Sequence, residues 1–478
     1  MTLRRFAARL PEEAVPAKPN AGSPPTRRSF GMAGEWLNVQ LGELSDLLTG
    51  FPFRSESYTD DPTAPRLLRG DNIAQGVLRW DGVKRWPKDA TDGIEAYWLR
   101  EGDVILAMDR PWIEAGLKYA AVRDSDLPAL LVQRVARLRG TKSLDTAFLK
   151  YIIGSRTFTQ HVLAVQTGTA VPHISAAQIK SFEFRLPPIH EQRAIAYSLG
   201  TLDDKIELNR RMNETLEAMA RVLFKSWFVD FDPVRAKMEG RWRKGESLPG
   251  LPAHLYDLFP DSFEESELGE IPRGWKIRSI GDLAEIVGGS TPSTAKSCFW
   301  DDYTHHWATP KDLSGLHAPV LLDTERRITE AGLSQVTSGL LPAGTVLLSS
   351  RAPIGYLAIT EVPVAINQGF IAMKPRVGIS NVFLLLWARS AHDEIVSRAN
   401  GSTFLEISKA SFRPIPVVGA PKAVIRHFDG LVQPLYRGIV RCVRESQTLA
   451  VLRDALLPKL LSGEIRVKHV KGAARSVA

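Results

Sequence analysis

Leu199-Gly200-Thr201-Leu202-Asp203-Asp204-Lys205-Ile206-Glu207-Leu208-Asn209 opens a run in which Leu199, Leu202, Ile206, Asn209, Asn213, Leu216, Ala220, Leu223 and Trp227 recur at alternating spacings of three and four. That alternation lays one stripe along a helix long enough to pack against a second helix as a coiled coil. A shift of 233 residues places Val432, Leu435, Ile439, Cys442, Ser446, Leu449, Arg453, Leu456 and Leu460 at the same positions. The match extends upstream, with Gly168 on Gly401, Ile174-Ser175 on Ile407-Ser408 and Pro188 on Pro421. One polypeptide therefore carries two copies of a domain-plus-helix unit, an internal pseudo-twofold repeat. The two stripes are expected to pair antiparallel. The polar or small layers Asn209/Asn213 and Cys442/Ser446 then meet at mid-length and fix the register. A helix of about 35 residues spans on the order of 50 Å, and Pro458 is expected to end or kink the second one.

The fold class that follows is α+β: two similar mixed α/β domains separated by two long antiparallel helices. Residues 34–188 form the first domain, 189–231 the central helix, 232–270 a linker, 271–418 the second domain and 419–464 the C-terminal helix. Within the first domain Gly76 to Trp80, Asp103 to Ala107 and Leu130 to Leu138 read as strands and Phe148 to Thr167 as a helix. In the second, Val346 to Leu348, Tyr356 to Thr360 and Phe370 to Lys374 read as strands and Phe383 to Arg398 as a helix. The linker is rich in Pro, Gly and charge without a period. Residues 1–33, with Arg4, Arg5, Arg9, Lys18, Arg27 and Arg28, are expected to be a disordered basic extension, and 465–478 a basic tail.

Hydrophobic residues make up 44% of the 478 and charged residues 24%, the composition of a globular protein. No apolar run approaches the length of a membrane helix. Two cysteines, Cys298 and Cys442, leave no disulfide framework and point to a reducing, cytoplasmic setting. A net charge of +8 favours a polyanionic partner.

Catalytic signatures fail on inspection. His190-Glu191-Gln192-Arg193-Ala194 has alanine where a zinc protease needs its second histidine, and Gly240 to Glu246 lacks the Gly-Lys-Ser/Thr of a phosphate loop. Phe231-Asp232-Pro233-Val234 lacks the second proline and the aromatic of an amino-methyltransferase loop. Cys298, His305 and His306 have no paired ligand spacing. Neither catalytic nor metal residues are expected.

Groups able to read base edges do recur. In the first copy these are the turn Arg69-Gly70-Asp71-Asn72, the neighbouring Lys84 and Arg85, and Arg110 in Asp109-Arg110-Pro111. In the second they are Thr309, Lys311 and Asp312, then Ser350 and Arg351. The loops Thr167-Gly168-Thr169 and Asn400-Gly401-Ser402 are candidates for backbone contacts to phosphate. Unlike chemistry at related places suits one scaffold reading two half-sites on duplex DNA.

Five blocks carry a family resemblance: Leu186-Pro187-Pro188-Ile189-His190-Glu191-Gln192, Leu223 to Val234, Glu267-Leu268-Gly269-Glu270-Ile271-Pro272, Arg351-Ala352-Pro353-Ile354-Gly355 and Leu457 to Ile465. From Trp36 to about Val467 the chain resembles the specificity subunit of type I restriction-modification systems. The resemblance implies two target recognition domains binding a bipartite DNA target, one half each. It also implies docking of two adenine methyltransferase subunits along the helices and of motor/nuclease (restriction) subunits, with no cofactor of its own. Adenosylmethionine, ATP and magnesium then belong to the partners. The chain departs from symmetry at Pro421-Lys422-Ala423-Val424-Ile425, which stands where the first copy has Pro188-Ile189-His190-Glu191-Gln192. A specificity subunit of a type II-like fused methyltransferase-nuclease and a coiled-coil adaptor that binds no DNA are the alternatives.

Overall fold

The computed structural model describes residues 36–168, 170–351, 353–401 and 405–467. The basic extension, the tail beyond Val467, Thr169, Ala352 and Ser402 lie outside the described residues. The chain divides into two compact units, Met1–Ala196 with Leu461–Ala478, and Tyr197–Leu460.

In the first unit a five-stranded sheet runs in the order Ser45–Thr49, Val135–Gly140, Val104–Ala107, Tyr119–Ala121, Gln75–Gly76. The first three pairings are antiparallel and the last is parallel. All four residues of Val104–Ala107 are buried, which is why this strand reads as an unbroken apolar run rather than an alternating one. Two expected elements are divided. The run Leu130 to Leu138 forms strands Ala129–Leu131 and Val135–Gly140, separated at Arg134, whose φ is 63°. The helix expected over Phe148 to Thr167 is two, Thr146–Ile153 and Arg156–Val165. Ser155 starts the second by accepting a hydrogen bond from the Phe158 amide at 3.1 Å. The strand expected over Gly76 to Trp80 is confined to Gln75–Gly76, because Gly76 turns the chain at a φ of 81°.

The second unit contains a sheet of the same design, ordered Ala284–Val287, Phe370–Pro375, Val346–Ser349, Leu357–Thr360, Val320–Leu321. Again three antiparallel pairings are followed by a parallel one. Helix Asn381–Ser390 is apolar all round, with Val382 through Ala388 buried, and at Ala391 it gives way to a separate helix, His392–Ser397.

Two long helices, Ile189–Phe228 of 40 residues and Lys422–Ser462 of 41, correspond to the two stripes. Each spans on the order of 60 Å. The Arg453 guanidinium donates to Asp203 at 2.9 Å, Lys205 pairs with Glu445 at 3.3 Å, and Leu216 lies against Gly438. Partner numbers fall as central-helix numbers rise, so the helices run in opposite directions. Asn209 Nδ2 donates to Glu445 Oε2 at 2.9 Å and to Ser446 Oγ at 3.3 Å. Of the stripe positions, Leu199, Asn209, Asn213, Ala220, Trp227, Val432, Ile439 and Leu460 are buried. Leu202, Ile206, Leu216, Leu223, Leu435, Leu449 and Leu456 are half-buried. The second helix does not end at Pro458 but continues through it to Ser462, and it passes through Pro434 as well. Both prolines are on the exposed side, where water can satisfy the carbonyl each leaves without a donor.

The stretch expected to be a linker is folded. It forms helix Asp232–Met238 and the hairpin Phe263–Ser266 with Gly269–Pro272. It also buries Trp242, Leu251, Leu255 and Phe259 against Trp227 and Trp275. Isolated apolar residues filling an irregular gap leave no period to read.

Two helical glycines make opposite demands. A Cβ on Gly430 meets nothing within 4 Å, whereas one on Gly438 falls 3.0 Å from Leu216 Cδ1. Gly430→Ala is therefore expected to stabilise the second unit by about 0.5–1 kcal/mol by restricting the unfolded chain. Gly438→Ala, which displaces Leu216, is expected to gain less. Urea midpoints of the two variants check the ranking. Among the described residues no helix is long and apolar enough to cross a membrane.

Candidate nucleic-acid interface

The first unit opens a cleft of about 930 Å³ that collects five cationic side chains, Arg69, Lys84, Arg110, Lys118 and Arg134, against three carboxylates, Asp60, Asp71 and Asp109. Four candidate residues, Arg69, Asp71, Lys84 and Arg110, thus meet on one surface. Arg69 follows strand Arg66–Leu68 and caps the single turn Gly70–Asn72. Its guanidinium reaches exposed Asp71 at 3.2 Å, a pair that contributes little to stability and can exchange for another anion. Burial pushes the Lys118 ammonium below its ordinary pKa; Asp71 opposes this and neighbouring Arg110 adds to it.

Other candidates belong to the framework. Asn72 is buried, accepting from the Arg69 amide at 3.0 Å and donating to the Arg79 carbonyl at 3.0 Å, so its hydrogen-bonding groups are engaged within the turn. Arg85 donates to the Ala64 carbonyl at 2.6 Å. Thr167 and His173 exchange backbone hydrogen bonds of 2.8 and 2.7 Å. Gly168, at φ 89°, has no room for a Cβ, which would lie 2.6 Å from the Val171 carbonyl oxygen. These two residues shape a loop whose Val171 lines the cleft.

The sequence reading missed Lys118, Arg134 and His173 and left Asp109 without a role. Asp109 accepts from Arg134 Nη1 at 2.6 Å and pairs with His173 Nδ1 at 2.6 Å. Burial works against its charge, but the hydrogen bonds from Arg134 and His173 outweigh that and hold its carboxyl below the usual carboxylate range.

In the second unit the turn recurs with Thr309 in the place of Arg69 and Asp312 in that of Asn72. Asp312 Oδ2 accepts from the Thr309 amide at 2.7 Å, and Oδ1 from the Glu325 amide at 2.6 Å. Exposed Lys311 pairs with Glu325 at 3.1 Å. Ser350, a candidate reader, is only 3% exposed: it continues strand Val346–Ser349 and donates its amide to the Gly369 carbonyl at 2.9 Å. Arg351 remains half-buried and faces Glu406 at 3.6 Å. Asn400 exchanges backbone hydrogen bonds with Glu406, and Gly401 is exposed. Gly369 also packs close to Pro310, so the 309–312 turn and the 350–351 segment share a neighbour. Among the described residues no cluster suits a metal ion. His305 and His306 instead pair with Glu330 and Asp323.

The type I restriction modification DNA specificity domain matches residues 33–218 and 272–418, one match over each copy. The chain belongs to this family. It is 27% identical over 474 residues to the type I restriction enzyme HindI specificity subunit of Haemophilus influenzae, covering 90% of this chain and all of the relative. It is 25% identical to the MjaIX specificity subunit of Methanocaldococcus jannaschii, covering 84% of each. The fold is shared with the crystal structure of a type I restriction-modification specificity subunit from M. genitalium, with a TM-score of 0.53 at 16% identity over 91% of this chain and 98% of the other. Membership in the specificity-domain family makes DNA target recognition the common theme of both copies.

Proposed function

We propose that this chain is the non-catalytic specificity subunit of a type I restriction-modification complex and reads a bipartite DNA target, one half-site per domain. The reading is carried by the repetition of one sheet design with unlike polar groups at matching turn positions, Arg69 and Asp71 against Thr309 and Lys311. A reader of two identical half-sites needs no such divergence. The first-unit cleft, with its excess of cations, suits the phosphate backbone, and its Arg and Lys side chains suit guanine edges.

Under this proposal the helix pair is a pseudo-twofold coiled-coil spacer, and two adenine methyltransferase subunits dock along it. A largely apolar groove of about 1380 Å³, lined by Met219, Val222 and Leu223 of the central helix and by Leu248 and Pro249, supports that assignment. So do the exposed Leu208 and Met212 on the same helix. Adenosylmethionine is assigned to the methyltransferases, and ATP and magnesium to the motor/nuclease subunits.

Methylome sequencing of the host with this gene deleted and restored tests the proposal. One split, asymmetric adenine-methylated sequence is expected to vanish and return. A methylation pattern indifferent to the gene overturns the reading.

A further inference from the structure

Each unit contains its own copy of one junction, matched in four backbone hydrogen bonds and inverted in charge. In the first, the Met108 amide donates to the Arg134 carbonyl at 2.9 Å and the Ile174 amide to the Met108 carbonyl at 2.9 Å, while Thr167 and His173 exchange two hydrogen bonds. In the second, the Ser350 amide donates to the Gly369 carbonyl at 2.9 Å and the Ile407 amide to the Ser350 carbonyl at 3.1 Å, while Asn400 and Glu406 exchange two. Asp109 thus stands where Arg351 stands, His173 where Glu406 stands and Arg134 where Gly369 stands. The strand-end position is acidic in one unit and basic in the other. Its cross-bridge neighbour changes in the opposite sense.

We propose that these junctions are the discriminating points of the two readers, with Asp109 and Glu406 as positioning residues that aim Arg134 in the first domain and Arg351 in the second at DNA. The proposal rests on the DNA-reading function above. Each cation is held by a hydrogen-bonded or ion-paired carboxylate and is still partly open to solvent: Arg134 is 67% exposed and Arg351 37%. A surface pair of this kind contributes little to folding, which leaves the placing of the guanidinium as its main effect. A planar guanidinium held at a set angle can address a guanine edge or a phosphate bidentately, which a freely rotating one does less well. Where Arg134 has Gly369 as its counterpart, the second reader loses the cation from that strand and regains one from Arg351. The two domains therefore present positive charge from different sides of the same frame, a means of reading unlike half-sites with one fold.

The test uses the full chain in complex with its methyltransferase. The probes are duplexes carrying the target found by methylome sequencing, intact or scrambled in one half. Glu406→Gln is expected to weaken discrimination at the second half-site roughly tenfold, with Glu406→Asp restoring most of it and the first half-site unaffected. The exchanged pair Arg351→Glu/Glu406→Arg keeps an ion pair and is expected to keep the melting temperature, yet to lose the second half-site as fully as Arg351→Ala does. Asp109→Asn is expected to act in the same way at the first half-site only. If Arg351→Ala impairs the second half-site while Glu406→Gln and the exchanged pair read it normally, the positioning role is overturned and DNA reading stands. If the wild-type complex binds intact and scrambled duplexes alike, both the positioning role and the proposed function fall.

Discussion

Trp227→Ala is expected to destabilise the second unit by about 3–5 kcal/mol, the usual cost of emptying a fully buried indole site. Trp227 is 1% exposed and joins its own segment to two others that are separately encoded. It belongs to the central helix, meets Phe259 of the 232–270 stretch edge-on at 5.1 Å, and packs at 5.8 Å from Phe428 of the C-terminal helix. Phe224 and Phe228 contact the same Phe428, so the aromatic cluster ties the two long helices together at this level. An alanine there leaves a cavity that rigid neighbours on three sides cannot collapse into. For a unit of this size the loss corresponds to a fall in melting temperature of roughly 10 °C. Calorimetry on the intact chain reads it, because two compact units can unfold as separate transitions and only one should move. A shift of less than about 2 °C would show that the cluster does not hold the helices, and the spacer proposed above would lose its anchor.

The helix pair was legible in the sequence because a stripe depends on spacing alone. The layers Asn209/Asn213 and Cys442/Ser446, expected to meet at mid-length, do meet through the hydrogen bond from Asn209 to Ser446, although Asn209 makes its shorter bond to Glu445, one place off the stripe. The sheets were legible where strands are buried on both faces, as at Val104–Ala107 and Val346–Ser349. The candidate interface was legible only in part, for two physical reasons. Polar residues in turns serve caps as readily as ligands: Asn72 accepts from a backbone amide and donates to a carbonyl, and Asp312 accepts from two backbone amides. Residues that meet only through tertiary pairing have no local signature. Asp109, Arg134 and His173 come from three distant segments, and nothing in the spacing of 109, 134 and 173 announces their contact. The same limit explains the 232–270 stretch, where Trp242 and Phe259 are separated by charge and proline and yet share one core.

Replacing Arg69, Lys84 and Arg110 together with alanine is expected to lower affinity for the first half-site at least a hundredfold while leaving the second unchanged. The three contribute most of the cationic surplus of the cleft, which falls from five cations against three carboxylates to two against three. Its field then changes sign, and a surface that attracted phosphate repels it. Each lost base contact costs about 1–3 kcal/mol, and each lost phosphate contact lowers the slope of log affinity against log salt by about 0.9. The two roles are therefore separable in one titration: a parallel drop with unchanged slope marks base reading, and a flattened slope marks backbone neutralisation. Asn72→Ala provides the contrast, since it removes a cap and a buried hydrogen bond rather than a cleft cation. It should lower the melting temperature of the first unit and leave the salt slope alone. Equal binding by wild type and the triple variant at every salt concentration would remove the cleft from the interface.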